Sequence, residues 1–179
     1  FDKDFEGGYA WFFPKGKTAN VGVGVIPGKT NLLLKLLDHF LDHLVESKRL
    51  SGVEIVAKTS GSIPCEKPRK SVFGNILLVG DATGHAHPIT GAGILNAVIG
   101  GEIAGRIAAE AIARGELHDL EHYEIEWRET FGESLRYGAF KRQVLEENWN
   151  KPGIDFKDLI RRSWNGFKEY YEERKGKSW

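Results

Sequence analysis

The residues from Asn75 to Ile94, NILLVGDATGHAHPITGAGI, bring one carboxylate, two imidazoles and a run of glycines to the junction between a strand and a helix. Ile76, Leu77, Leu78 and Val79 form a short unbroken apolar run, which predicts a strand buried on both faces. Gly80 permits close backbone approach, and Asp81 sets a carboxylate at the carboxyl end of that strand, where open sheets place their ligands. Gly91 and Gly93 strip side chains from the start of the following helix, whose free amides and positive dipole end suit an electron-rich or anionic edge of a cofactor. The same spacing also fits a plain tight connection between a strand and a helix. His85 and His87 flank Ala86 beside Pro88, and their ordinary pKa range suits proton donation. Their direction does not follow from a turn sequence.

Positioning these groups requires the elements on either side. Tyr9 to Phe13 and Ala19 to Ile26 read as two strands of a hairpin around the turn Pro14-Lys15-Gly16-Lys17. The two-residue period puts Tyr9, Trp11 and Phe13 on one face, an aromatic row that serves equally as a domain core. A helix capped by Thr30 or Asn31 follows, apolar at Leu33, Leu36, Leu37, Phe40, Leu41, Leu44 and Val45, and ends at Ser51-Gly52. His39 and His43 share a face of it with no convergent partner, so they read as solvated. Val53, Ile55 and Ala57 alternate as a returning strand, and the loop from Ile63 to Lys70 leads to the strand and helix of the corner. The helix runs from about Ala92 to Arg114, stopped by Gly115. Its inner side is predicted at Leu95, Val98, Ile99, Ile103, Ile107 and Ala111. Gly100, Gly101 and Gly105 weaken a helix by about 1 kcal/mol each against Ala, which implies close packing there. Two aromatic helices complete the chain. One carries Tyr123, Trp127, Phe131 and Leu135; the other, capped by Asp155 after Pro152-Gly153, carries Phe156, Leu159, Ile160, Trp164 and Phe167. Lys157, Arg161 and Arg162 make the second basic and amphipathic, a form that packs on a domain or lies on a lipid surface.

Composition narrows the class. Net charge is zero with 28% charged residues, leaving no electrostatic footprint for nucleic acid. No stretch reaches the roughly 18 apolar residues of a membrane span. The single cysteine, Cys65, rules out an internal disulfide and suits a reducing, cytoplasmic setting, with at most peripheral membrane contact. Methionine is absent and Gln143 is the only glutamine, a depletion expected of a thermophile.

The residues themselves carry a resemblance beyond spacing. GDATGHAHPITGAGI resembles the second flavin-binding motif of the para-hydroxybenzoate hydroxylase-like flavoproteins: Gly80, Asp81, then six residues to Pro88, then Gly91 and Gly93. GGYAWFFPKGKTANVGVGV, from Gly7 to Val25, resembles the signature of the geranylgeranyl reductase family within that superfamily. Hydroxylases of the superfamily carry His and Asn where this chain has Gly84 and Leu95, which favours a reductase. The resemblance implies an FAD site in which Asp81 holds the ribityl chain and the backbone of Gly91, Ala92, Gly93 and Ile94 meets the pyrimidine edge. It makes Tyr9, Trp11 and Phe13 the wall of an isoprenoid pocket; His85 and His87 lie outside the motif, and beside a flavin either is a candidate catalytic proton donor, or else a structural or solvent-facing position. The implied reaction is saturation of C=C bonds in geranylgeranyl chains of a lipid, chlorophyll precursor or quinone, with electrons from NAD(P)H or ferredoxin. No GxGxxG turn opens a βαβ unit, so the expectation is a C-terminal part of a longer flavoprotein. The expected fold is α+β: an antiparallel substrate-domain sheet (1–62), one strand and a long helix of a Rossmann-like FAD domain (63–115), and C-terminal helices (116–179). Related alternatives are a dehydrogenase resembling those of electron-transfer flavoprotein, whose iron-sulfur cluster Cys65 alone cannot ligate, an FAD monooxygenase, or a non-catalytic substrate-binding piece.

Overall fold

A computed structural model describes residues 1–174; the end of the predicted C-terminal helical region, residues 175–179, lies outside the described residues. The chain divides into two compact units, Phe1–Gly61 with Leu145–Ile160, and residues 62–144 with 161–174.

In the first unit the predicted hairpin forms from β1 (Ala10–Lys15) and β2 (Thr18–Val23), antiparallel with Trp11 opposite Gly22 and Phe13 opposite Asn20. Gly22 is needed there. A Cβ at that position would lie 2.1 Å from the Trp11 ring, so the indole lies flat across bare backbone. The helix α1 (Leu33–Glu46) packs on β2 and buries Leu36 and Leu44. Neither Thr30 nor Asn31 caps it. A 3-10 turn from Pro27 to Leu32 leads in, Thr30 bonding back to the Pro27 carbonyl at 3.1 Å. The helix ends at Ser47, before the predicted Ser51-Gly52. Trp149 joins this core, its indole N–H donating to the Lys3 carbonyl at 2.9 Å and its ring meeting Phe156 edge-on at 5.0 Å.

The returning strand predicted at Val53, Ile55 and Ala57 does not form: the sheet has two strands, and Val53, Ile55 and Val56 are exposed. Alternation supplies one apolar face, but a strand also needs a neighbour for its amides, and none runs alongside among the described residues.

The second unit is built on α2 (Ile94–Arg114), which Gly115 stops in a left-handed conformation, φ 74°, as predicted. Against it packs α3 (His122–Trp127), and a π turn over Arg128–Gly132 leads on to α4 (Glu133–Asn148), whose Leu135 joins the same core and whose residues from Leu145 belong to the first unit. Residues spaced four apart drift around an ordinary helix; the wider turn absorbs that drift and keeps Tyr123, Trp127, Phe131 and Leu135 all buried in one core with Val72, Ile103, Ile107 and Ala111. Asp155, in the first unit, caps α5 (Phe156–Ser163) by accepting from the Lys157 amide at 2.9 Å; α5 belongs to the first unit as far as Ile160 and to the second from Arg161, and a short α6 (Glu169–Glu172) is the last helix described.

Two burial expectations fail. Ile76–Leu77 is a two-residue strand, β4, paired antiparallel with β3 (Val72–Phe73), and Ile76 is exposed rather than buried on both faces. Leu95 and Val98 likewise point outward, 71% and 62% exposed, while Ile99, Ile103, Ile107 and Ala111 supply the inner face. Gly101 and Gly105 lie on the open side, with no atom closer than 4 Å to an added Cβ. Apolar positions on α2 therefore span two faces, and only one is covered by the described residues. On α5 the apolar side chains Leu159 and Ile160 are buried, so packing uses the face that a lipid surface would need.

Candidate functional site

Three left-handed glycines shape the loop between β4 and α2. Gly80 (φ 67°) breaks the strand into a single 3-10 turn, Gly84 (φ 74°) ends that turn, and Gly91 (φ 68°) aims the chain into α2. The loop is laced internally: His85 N–H to the Gly80 carbonyl (3.1 Å), His87 N–H to the Ala92 carbonyl (2.8 Å) and Gly91 N–H to the His87 carbonyl (2.8 Å).

Within this frame Asp81 is exposed, and its side chain makes no hydrogen bond among the described residues. One carboxylate oxygen, Oδ1, sits 3.1 Å from where a Gly93 Cβ would be, so glycine keeps open the approach between the carboxylate and the helix mouth. The first intrahelical bond of α2 is Ala97 N–H to the Gly93 carbonyl, 2.9 Å, and no side chain caps the start. The leading amides, from Ile94 to Asn96, thus face outward beside an unpaired carboxylate. Ile94 itself is 86% exposed.

The two histidines occupy different environments. His85 is fully buried against Trp127 (ring centroids 4.5 Å) and Phe131 (4.9 Å, edge-on), and neither ring nitrogen has a hydrogen-bond partner. Desolvation, aided by the Arg128 guanidinium and opposed by Glu124, lowers its pKa to about 4. His87 is nine-tenths buried, and burial lowers its pKa as well. Its Nδ1 accepts from the Ile89 amide at 3.3 Å, which leaves the proton of the neutral ring on Nε2. His87 lines a cavity of about 200 Å³ with Thr90, Ala92, Leu95, Asn96, Phe131, Ser134 and Asn165. A larger groove of about 420 Å³ lies along α2 and α3, but its arginines are paired with its own acids, Arg106 with Glu126 and Arg114 with Asp119. Pro88 is fully buried, its Cδ 3.0 Å from where a Gly138 Cβ would be on α4.

Residues outside the motif hold the loop in place. The Asn96 amide donates to the His85 carbonyl at 2.8 Å, and Tyr123 donates to the Leu78 carbonyl at 3.0 Å. Glu124 accepts from both the amide (2.7 Å) and the hydroxyl of Ser71, while Trp127 donates its indole N–H to that hydroxyl at 2.7 Å. Burial pushes the Glu124 carboxyl up, but the Ser71 hydroxyl and amide and the Arg128 guanidinium outweigh it and hold the carboxyl below the usual range. Ser71 and Glu124 are 53 positions apart, and no local pattern signals that pairing. The i, i+4 stripe through Tyr123 and Trp127 is the one signal that foretold part of it.

Tyr9, Trp11 and Phe13 lie in the first unit. Tyr9 and Trp11 are half-buried with ring centroids 5.7 Å apart, and Phe13 is exposed.

Comparison with known proteins gives the family of the chain. Residues 5–63 match the geranylgeranyl reductase catalytic domain. The chain is 37% identical over 162 residues to digeranylgeranylglycerophospholipid reductase 2 of Methanococcoides burtonii, covering 85% of this chain and 39% of that protein. It is 42% identical over 134 residues to digeranylgeranylglycerophospholipid reductase of Methanosarcina acetivorans, covering 72% of this chain and 33% of that protein. A crystal structure of a geranylgeranyl bacteriochlorophyll reductase-like protein from Thermoplasma acidophilum superposes with a TM-score of 0.73 at 27% identity, over 92% of this chain and 42% of that one. The chain thus spans about two-fifths of the length of these relatives or less. Its mixed architecture of helices and small sheets is that of the Thermoplasma protein, and the chain belongs to the geranylgeranyl reductase family.

Proposed function

We propose that the chain forms part of an FAD-dependent reductase that saturates C=C bonds of geranylgeranyl chains, and that it supplies one side of the flavin site and part of the substrate pocket. The observation that carries this reading is the exposed, unpaired Asp81 carboxylate beside the uncapped start of α2, which is led into by Gly91 and Gly93. A carboxylate left open to solvent at a strand end suits hydroxyl donors such as those of a ribityl chain, and outward amides suit an electron-rich ring edge. Gly80, Asp81, Pro88, Gly91, Ala92, Gly93 and Ile94 are the residues that would hold the flavin, with Pro88 acting through the packing of the loop on α4. A bound flavin would supply the hydride chemistry, and the protein's share is orientation, exclusion of water and delivery of a proton.

For that proton the reading favours His87 over His85. His87 lines a cavity, so its ring is open to a proton from solvent, and the donating form is the imidazolium, which burial disfavours; His85 is sealed among aromatic rings with both nitrogens unpartnered. Tyr9, Trp11 and Phe13 are proposed as the pocket wall: flat rings give an isoprenoid chain apolar contact at low entropic cost. A glycerophospholipid substrate agrees with the names of the curated relatives. NAD(P)H or ferredoxin is the proposed external donor. Membrane contact, if the substrate is drawn from a bilayer, would use a surface other than the apolar side of α5, which is buried. No helix among the described residues is long and apolar enough to cross a membrane.

The test is reduction of a digeranylgeranyl glycerophospholipid by the protein with dithionite-reduced FAD, followed by mass spectrometry. A gain of two hydrogens per double bond is expected. Incorporation of oxygen, or an unchanged lipid with flavin bound, would refute the reading.

A further inference from the structure

The C-terminal segment of the second unit, residues 161–174, is held on α4 by a charge that the reaction above does not use. The Lys141 side chain is 1% exposed, and its ammonium donates to Glu173 at 2.9 Å, a carboxylate that is 44% exposed. The rings of Tyr137 and Tyr170 stand 5.5 and 5.7 Å from the ammonium. Tyr137 donates its hydroxyl to the Tyr170 carbonyl, and Arg174 pairs with Glu133 at 3.1 Å. Within the segment, Tyr171 donates to the Asn165 carbonyl at 3.0 Å and Arg161 pairs with Glu169.

Other atoms oppose this docking. Ser163 Oγ, Glu169 Oε2 and Tyr170 Oη are buried without a hydrogen-bond partner among the described residues, and release of the segment would return all three to water. A buried ammonium met by a half-exposed carboxylate, with orphaned polar atoms beside it, offsets part of what the packing of Tyr170 and the ion pairs contribute to docking. Its Asn165 also forms part of the wall of the His87 cavity, together with Phe131 and with Ser134 of α4.

We infer that residues 161–174 form a releasable strap over the His87 cavity, latched by Lys141 and Glu173, and that its release admits water and small polar solutes to His87. The inference does not depend on a flavin. Amide hydrogen exchange and diethyl pyrocarbonate modification, each mapped by mass spectrometry, test it on the full chain. Glu173→Gln, at a half-exposed side chain that leaves the core intact, should speed both exchange in the strap and modification of His87 by about fivefold, the effect of weakening the charge-assisted bond from Lys141 and the longer, 4.0 Å pairing with Arg162 at a partly exposed site. Tyr170→Phe removes one orphaned hydroxyl and should slow both by about threefold. Amides of α2 and α3 should keep their rates in each variant. The inference is overturned if Glu173→Gln changes neither rate, if α2 and α3 accelerate along with the strap, if the strap loosens while His87 modification stays constant, or if Tyr170→Phe slows neither.

Discussion

Replacing His85 with Leu should remove much of the chain's sensitivity to mild acid. The imidazole is fully buried against Trp127 and Phe131, and neither nitrogen finds a partner. Desolvation lowers its pKa from 6.5 to about 4, with Glu124 pulling the other way and Arg128 reinforcing the drop. The sign follows from proton counting. Between pH 6.5 and 4 the unfolded chain binds a proton at this position that the folded chain refuses, so stability is complete above pH 6.5 and declines as the pH falls toward 4. A displacement of that size corresponds to about 3 kcal/mol, a large part of the 5–15 kcal/mol typical of a folded domain. Leucine fills similar space without the two orphaned nitrogens, so it should cost little at neutral pH. The assay is urea unfolding of the wild type and His85→Leu at pH 7.5, 5.5 and 4.2, followed by circular dichroism. Carboxylates titrate in both proteins, so the difference between the curves isolates His85. The wild type should lose about 2–3 kcal/mol more than the variant across this range; parallel losses would refute the argument that this ring is desolvated and neutral.

Further expectations follow from single contacts. Ser71→Ala removes a hydroxyl that serves Glu124 and Trp127 together, and thermal unfolding should report a loss of about 1–3 kcal/mol because the part-buried carboxylate loses one of its donors and the buried indole N–H loses its acceptor. Gly22→Ala should cost about 1–3 kcal/mol and alter Trp fluorescence, since the new methyl would lie inside the Trp11 ring. Val98→Asp, at an exposed position on α2, should leave the stability of this chain within about 0.5 kcal/mol, whereas Ile103→Asp on the covered face should unfold the second unit.

How much of this was legible in the sequence depended on the range of the interaction. The hairpin, the end of α2 at Gly115 and its start to within two residues of Ala92, and the buried stripe from Tyr123 to Leu135 follow from turn chemistry, a left-handed glycine and helical spacing, all of which act within a few residues. The motif from Gly80 to Gly93 likewise showed where an acid meets a helix start. Periodicity could not show which apolar face of α2 is covered, because Ile103 and Val98 are equally apolar and only the rest of the fold tells them apart. The strand expected at Val53 failed for the same reason, since pairing is decided by a neighbour that a local pattern does not contain. The clamp from Glu124 to Ser71, the tie from Asn96 to the His85 carbonyl and the sealing of His85 beneath Trp127 all cross long stretches of chain. Two histidines that look alike in the sequence therefore part company in the structure: one is entombed, and the other keeps a protonated nitrogen beside a cavity.

The most direct measurement is FAD titration of Asp81→Ala, beside the unsubstituted protein, in the longest form of the polypeptide that retains the flavin. Because Asp81 is exposed and makes no hydrogen bond with the described residues, the melting temperature without flavin should not move. The dissociation constant should rise by about tenfold or more, the effect of losing a carboxylate that accepts hydrogen bonds from the cofactor. Equal affinity in the two proteins would contradict the assignment of this corner as a flavin site.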